Sequence, residues 1–510
     1  MKKNDKRVVK NTMLLFVRMF LTMGVTLYTS RVILYLLGIE DYGIYNIVGG
    51  VVSMMTVFSG TLGHAISRFF SYNIGLNNIS EMRKTFSVSF TIVIILSIIV
   101  LVIAETIGLW FVNNHLLIPI ERIGAANWVY QSTIIVFIIN LLNIPYNSSI
   151  IAHEDMKVFA WFSVVDVFLR LGLVFLLYYV KYDKLVSYAL LLILQSFFLR
   201  ACYYYYCKKK YKECCYVFSI DSKAFKEILS FFGWTFIYSL SFVGKEQGVN
   251  IVLNWFGGPI LNSARGITGQ VAGAVYGLSS NFTTASNPAI VKYYSQGNIE
   301  EMTTLMFKSC RISFALLLLA VVPLTFNIDY ILTLWLCEVP KYTNVFIQLI
   351  LIHSLLEAVA LPLQYGICAT GNIRNYQISI SVIQILNLPF SYIALDIGLL
   401  PTYTVIIAIF LSFAGIMCRV YFINHLLGVS YRNFFYSVLF RVIFTIFFFI
   451  GVYRFINNEL SIYISDFGDF VTIVIIELFT TSIIVFMIIM NHVERCFIYR
   501  KLKLFFEKLI

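Results

Sequence analysis

The chain has 510 residues, 59% of them hydrophobic and 13% charged, with a mean hydropathy of +0.83. That composition excludes a soluble globular domain and a disordered chain, and puts the protein among those that cross a membrane many times. A net charge of +12 does not point to nucleic acid, because the cations stand at the ends of apolar runs instead of gathering in one basic domain.

Lys2, Lys3, Lys6, Arg7 and Lys10 precede an apolar run from Asn11 to Leu37. This run is too long for a secretory signal and lacks a small-residue cleavage site, so it is the first span. A hydrocarbon core of roughly 30 Å takes about 20 apolar residues as helix, the form in which the backbone satisfies its own hydrogen bonds in lipid. Fourteen spans are predicted, at 12–37, 44–70, 86–112, 125–151, 158–180, 185–206, 229–255, 264–287, 309–327, 344–367, 375–395, 402–424, 437–456 and 468–490. An even number leaves both termini on one side. Loops on that side carry 23 Lys and Arg against 4 on the other, which predicts cytoplasmic termini by the positive-inside rule. Beyond His492 the tail alternates Arg495, Arg500, Lys501, Lys503 and Lys508 with Phe497, Leu502 and Phe505, a basic amphipathic pattern suited to the inner headgroups.

Ala65-Ile66-Ser67-Arg68-Phe69-Phe70-Ser71 recurs as Ala289-Ile290-Val291-Lys292-Tyr293-Tyr294-Ser295, and each copy is followed by a related Asn-Ile tail, at Asn78 and Asn298. Two parallel halves are implied, a construction that recurs in membrane transporters. A cation before two aromatic residues also suits any helix that meets headgroups. The long basic loop with Lys208, Lys209, Lys210, Lys212, Lys223 and Lys226 separates the halves. The predicted organisation is residues 1–215 with spans one to six, 216–430 with spans seven to twelve, and 431–510 with spans thirteen and fourteen and the tail.

Charges inside spans are costly and mark function. Arg18 and Arg31 lie in the first span, each either facing a polar cavity or, for Arg18, snorkelling to the surface. Asp166 and Arg170, four residues apart, share a helical face as a candidate ion pair. Lys245 sits mid-span in Gly244-Lys245-Glu246-Gln247-Gly248; neighbours about 100° apart on a helix do not readily neutralise one another, so a polar cavity is expected there. Glu357, central in the tenth span without a cation one turn away, and Asp166 are the candidate ion-coupling residues. Arg419 and Glu477 read as structural. The nine cysteines form no disulfide framework or metal-ligand spacing, and no metal or cofactor is implied. Walker, HExxH and nucleophile-elbow motifs are absent from the sequence. A membrane glycosyltransferase or polymerase would need an acidic pair such as Glu40-Asp41, which is better explained by the turn Leu37-Gly38-Ile39-Glu40-Asp41-Tyr42-Gly43.

That turn, following Ser30-Arg31 and followed by the Arg68-Phe69-Phe70-Ser71 span end, resembles the O-antigen and capsule flippases of the polysaccharide transporter family. The resemblance implies an all-α fold of two six-helix lobes about a central cavity, as in the superfamily of multidrug, oligosaccharidyl-lipid and polysaccharide exporters, plus two C-terminal helices. It implies an undecaprenyl-diphosphate-linked oligosaccharide as substrate, turned across the bacterial cytoplasmic membrane, with membrane lipids, a polysaccharide polymerase and assembly proteins as partners. Arg18, Arg31 and Lys245 would contact the diphosphate, and Arg68 and Lys292 would be gate or interface residues at equivalent places in the lobes. The second span lacks the clustered arginines of the lipid II branch. A cation-coupled exporter of drugs or metabolites, relying on Glu357 or Asp166, remains the alternative within the same fold.

Overall fold

The computed structural model describes the chain except residues 1–2, 54–55, 116–117, 218–220, 336–338, 456–465, 492–493 and 496–510. The amphipathic tail beyond residue 495 and Cys337 therefore lie outside the described residues. Among the described residues, every regular element is helical. The helices are α1 (Lys3–Ser53), α2 (Thr56–Gly75), α3 (Ile79–Ile103), α4 (Leu109–His115), α5 (Ile123–Ala152), α6 (Met156–Tyr179), α7 (Lys184–Lys210), α8 (Ser222–Ser295), α9 (Ile299–Phe326), α10 (Ile328–Trp335), α11 (Thr343–Thr370), α12 (Arg374–Ile385), α13 (Asn387–Asp396), α14 (Tyr403–Leu427), α15 (Tyr431–Phe434), α16 (Phe440–Phe455) and α17 (Phe467–Ile484).

Eleven stretches among the described residues are long and apolar enough to cross a membrane, and they coincide with predicted spans three to seven and nine to fourteen. The first predicted span is helical as well, with an apolar stretch over Asn11–Thr26 among the described residues, and the eighth is helical but less apolar. The eighth is studded with small and polar residues, among them Thr268, Gly269, Gly273, Ser279, Asn281 and Thr283.

Two of the helices double back. Gly38 adopts φ 80° and ψ 171° inside α1, a conformation that L side chains avoid. Ile33 and Tyr45, on either side of it, both pack on Tyr188. In α8, Arg265 meets Glu246 at 3.1 Å, although nineteen residues of straight helix would hold them about 28 Å apart. The chain therefore reverses between them, and α8 carries two spans.

The chain divides into two compact units, residues 7–239 and residues 240–510 with 1–6. In the first, α5 is the central helix, packed by α2, α3, α6 and α7. Arg122 pins one end of this unit by bridging Asp41 and Asp183, while Asp183 caps α7 through the Leu185 and Val186 amides. At the turn between α5 and α6, Asp155 collects Lys210, Tyr206 and Tyr211. In the second unit α11 is central, packed by α9 and α14, and α17 lies on α9.

The repeated motif leads into the same turn twice. Asn77 (φ 53°) and Gly297 (φ 74°) take the left-handed position after α2 and α8. The amides that follow reach back to Asn73 O at 3.2 Å and Tyr293 O at 3.0 Å, a Schellman closure. Asn78 then caps α3 through the Glu81 amide and Asn298 caps α9 through the Glu301 amide. Counted from this turn, Arg68 stands nine residues back and Lys292 five. The two cations thus occupy nearly the same helix face one turn apart, not the same level.

Candidate functional site

Each unit encloses a polar site within its helices. In the first, a cavity of about 460 Å³ is lined by Arg18, Asn140, Asp166, Arg170, Gln195 and Tyr203 among others. Arg18 faces this cavity instead of snorkelling: its Nη1 donates to Ser163 Oγ at 3.3 Å, and its guanidinium lies 4.7 Å from the Phe159 ring centre. Asp166 does not pair with Arg170. Its carboxylate and its carbonyl both accept from Gln195 Nε2, at 2.6 and 2.8 Å, because α7 brings an amide closer than the neighbouring turn brings the guanidinium. Ser132 Oγ, Asn147 Oδ1 and Gln195 Oε1 line the same space, buried and without a hydrogen-bond partner among the described residues. Such groups are costly in hydrocarbon and suit bound water or a polar guest. The Arg31 side chain lies outside the described residues.

The second unit concentrates charge. Lys245, 7% exposed, holds Glu246 at 3.1 Å, and the same carboxylate takes Arg265 at 3.1 Å through its other oxygen. The sequence argument that adjacent residues do not neutralise one another readily fails here, because the long lysine stem reaches across. Glu246 is nonetheless shared between two cations. Glu357, from α11, accepts from Ser412 Oγ at 2.7 Å, and the same hydroxyl lies 3.0 Å from His353 Nε2. A small pocket is lined by Lys245, Glu357, Gln384, Ser412 and Arg419. Arg419, on α14, lines this pocket together with Glu357.

The cation that sequence spacing did not supply to Glu357 therefore comes from α14, and Arg419, 3% exposed, belongs to the site. Among the described residues named here, and leaving His353 aside, three cations (Lys245, Arg265, Arg419) stand with two carboxylates (Glu246, Glu357). Buried charges persist only when paired and hydrogen bonded, and this cluster keeps one positive charge in excess. Arg265 escaped sequence reading because it is the second residue of its predicted span and looks like an end marker.

Arg68 and Lys292 are not part of either site. The Arg68 guanidinium stacks among Phe69, Tyr72 and Phe231, at 4.7, 5.4 and 5.4 Å from the ring centres. Lys292 lies in the last turn of α8. Asp41, the acid that an enzymatic reading would require, is held by the Arg122 guanidinium.

The fold is that of the multidrug and toxic compound extrusion transporters. A structure described as the outward-facing conformation of a multidrug resistance MATE family transporter of the MOP superfamily superposes with a TM-score of 0.74 at 15% identity, covering 84% of this chain and 97% of that one. A MATE in complex with MaD3S gives 0.71 at 16%, with the same coverages. So does a MOP superfamily transporter from Pyrococcus furiosus, described as having a binding pocket of reverse polarity. No curated protein sequence matches the chain. Residues 8–273 match the family described as Polysaccharide biosynthesis protein, and the chain belongs to that family.

Proposed function

We propose that this protein is a flippase that carries undecaprenyl-diphosphate-linked oligosaccharide units across the bacterial cytoplasmic membrane by alternating access, in O-antigen, capsule or related polysaccharide assembly. The observation that carries this reading is the buried cluster of Lys245, Arg265 and Arg419 against Glu246 and Glu357, in a chain of a polysaccharide biosynthesis family. A diphosphate does not cross hydrocarbon without cations, and guanidinium or ammonium groups at fixed positions supply charge-assisted hydrogen bonds. In the first unit, Arg18 and Arg31 are cations of the same kind, suited to contact the substrate's phosphates or polar sugars. Arg68 and Lys292 act as gates near the cytoplasmic ends of their helices, and both termini are cytoplasmic by the cation asymmetry of the loops.

Glu357 gives the cycle a means of coupling. Arg419 and Lys245 balance either Glu357 or an incoming phosphate, so binding of the anion favours protonation or cation capture at Glu357, and release reverses it. Asp166 is the corresponding acid of the first unit. A cation-coupled exporter of drugs or metabolites would use the same two acids, but would have no need for a net positive cluster.

Proteoliposomes containing the purified protein and a labelled polyprenyl-diphosphate oligosaccharide test the reading. Transfer between leaflets is measured with an impermeant sugar-reactive reagent. Lys245→Gln and Arg419→Gln are expected to slow transfer at least about ten-fold, the loss of one charged hydrogen bond. Unchanged transfer in both variants would sink the assignment.

A further inference from the structure

Three arginines outside the site meet in the second unit: Arg311 on α9, Arg441 on α16 and Arg495 just after α17. Arg311, 5% exposed, binds Glu494 Oε1 at 2.7 Å, and the other oxygen of Glu494 accepts the Asn491 amide at 2.8 Å. Both oxygens of the carboxylate are thus engaged elsewhere. Arg441 donates to Ile489 O at 3.1 Å, and Arg495 donates to Met490 O at 3.0 Å and Met487 O at 2.6 Å. Among the described residues these two guanidiniums have carbonyl partners but no carboxylate. Carbonyls fix their orientation without neutralising their charge. Arg311 Nε is buried without an acceptor among the described residues.

The backbone helps to build the place. Residues Val485–Ile489 and Phe435–Leu439 are π-helical turns, a form that recurs at functional positions within helices. The first of them supplies carbonyls to Arg441 and Arg495. Membrane level follows from the sequence. Arg311 is the last charge before the uncharged run 312–326, Arg441 the last before 442–452, and Glu494 and Arg495 follow the uncharged run 478–490. Arg311 and Arg441 thus lie toward the start of predicted spans 309–327 and 437–456 and Arg495 just past the end of 468–490, so all three fall toward the same side of the membrane, within reach of its headgroups.

We propose that Arg441 and Arg495, with Arg311 behind them, form a binding site for a phosphate group, presented at the membrane surface by an anionic lipid. Two guanidiniums oriented by carbonyls, with no carboxylate partner among the described residues, match the geometry of a phosphodiester, which accepts paired N–H bonds. The site is separate from the cluster around Lys245 and does not depend on the transport reading.

Native mass spectrometry of the full-length protein, loaded with phosphatidylglycerol or with phosphatidylcholine of the same chains, measures retained lipid. The wild type is expected to retain phosphatidylglycerol preferentially. The Arg441→Gln, Arg495→Gln double variant should bind it about 30-fold more weakly, from two charges near a lipid surface, with phosphatidylcholine binding unchanged. The corresponding double lysine variant should keep the preference, and Glu494→Gln should increase it. Displacement of the lipid by millimolar inorganic phosphate would identify free phosphate as a sufficient ligand, and resistance to it would identify the lipid headgroup. A wild type that does not distinguish the two lipids, or a double glutamine variant with undiminished preference, overturns the proposal.

Discussion

The carboxylate of Glu246 is the point at which the charge cluster of the second unit is most open to attack. Glu246→Gln leaves Lys245 and Arg265, whose side chains are 9% and 11% exposed, facing an amide. Removing one partner of a fully buried pair costs about 3–5 kcal/mol. Here the carboxylate is 35% exposed, so solvent screens part of that, and about 2 kcal/mol is the reasonable figure. In thermal denaturation of the detergent-solubilised protein this corresponds to a loss of about 2–4 °C. Adding Lys245→Met removes one of the stranded cations and should restore about half of the loss, since Arg265 remains unpaired. In the single Glu246→Gln variant the excess positive charge rises from one to two, so affinity for a diphosphate-bearing lipid should increase while stability falls. A neutral Glu246→Gln, or a double variant whose cost is the sum of the two single ones, would refute the idea that these three residues act as one electrostatic unit.

Further outcomes follow from the ends of the helices. Asp41→Asn should cost about 1 kcal/mol, the worth of a partly exposed ion pair, because Arg122 keeps Asp183 at 2.5 Å; surface polysaccharide should persist, and its complete loss from a stably inserted variant would favour an enzyme. Burial alone would raise the Asp155 carboxyl, but hydrogen bonds from Lys210, Tyr206 and Tyr211 outweigh it and hold it below the usual carboxylate range. Its contribution to stability is therefore present above the unfolded value near pH 4 and lost as pH falls through the lower folded value; melting profiles of wild type and Asp155→Asn should converge only in that acidic window. Asn78→Ala and Asn298→Ala should each cost about 1 kcal/mol, measured by denaturation, and a negligible effect at either would show that the repeated cap is ornamental to the fold.

Much of the architecture was legible because its causes are local. A hydrophobic run long enough for a bilayer, a glycine that permits reversal at Gly38, and an asparagine that caps a helix at Asn78 or Asn298 all act within a few residues. The central position of Lys245 was legible for the same reason. Partnerships across helices were not. Arg265 reaches Glu246 only because α8 reverses, and Arg419 comes to line the same pocket as Glu357 only because α14 packs on α11. Likewise Asp166 finds Gln195 on another helix in preference to Arg170 on its own. The equivalence of Arg68 and Lys292 was misjudged in level because sequence similarity aligns the motif, whereas the caps show that one turn separates it differently from the helix end in each copy.

The most direct test of the transport account is the fate of the lipid-linked oligosaccharide in cells that lack this chain. Undecaprenyl-diphosphate-linked units should accumulate at full length on the inner leaflet, protected from an impermeant sugar-reactive reagent in intact spheroplasts and exposed when the membrane is inverted. If the units are absent, truncated or already on the outer leaflet, the protein acts in synthesis or after translocation, and the flippase account is contradicted.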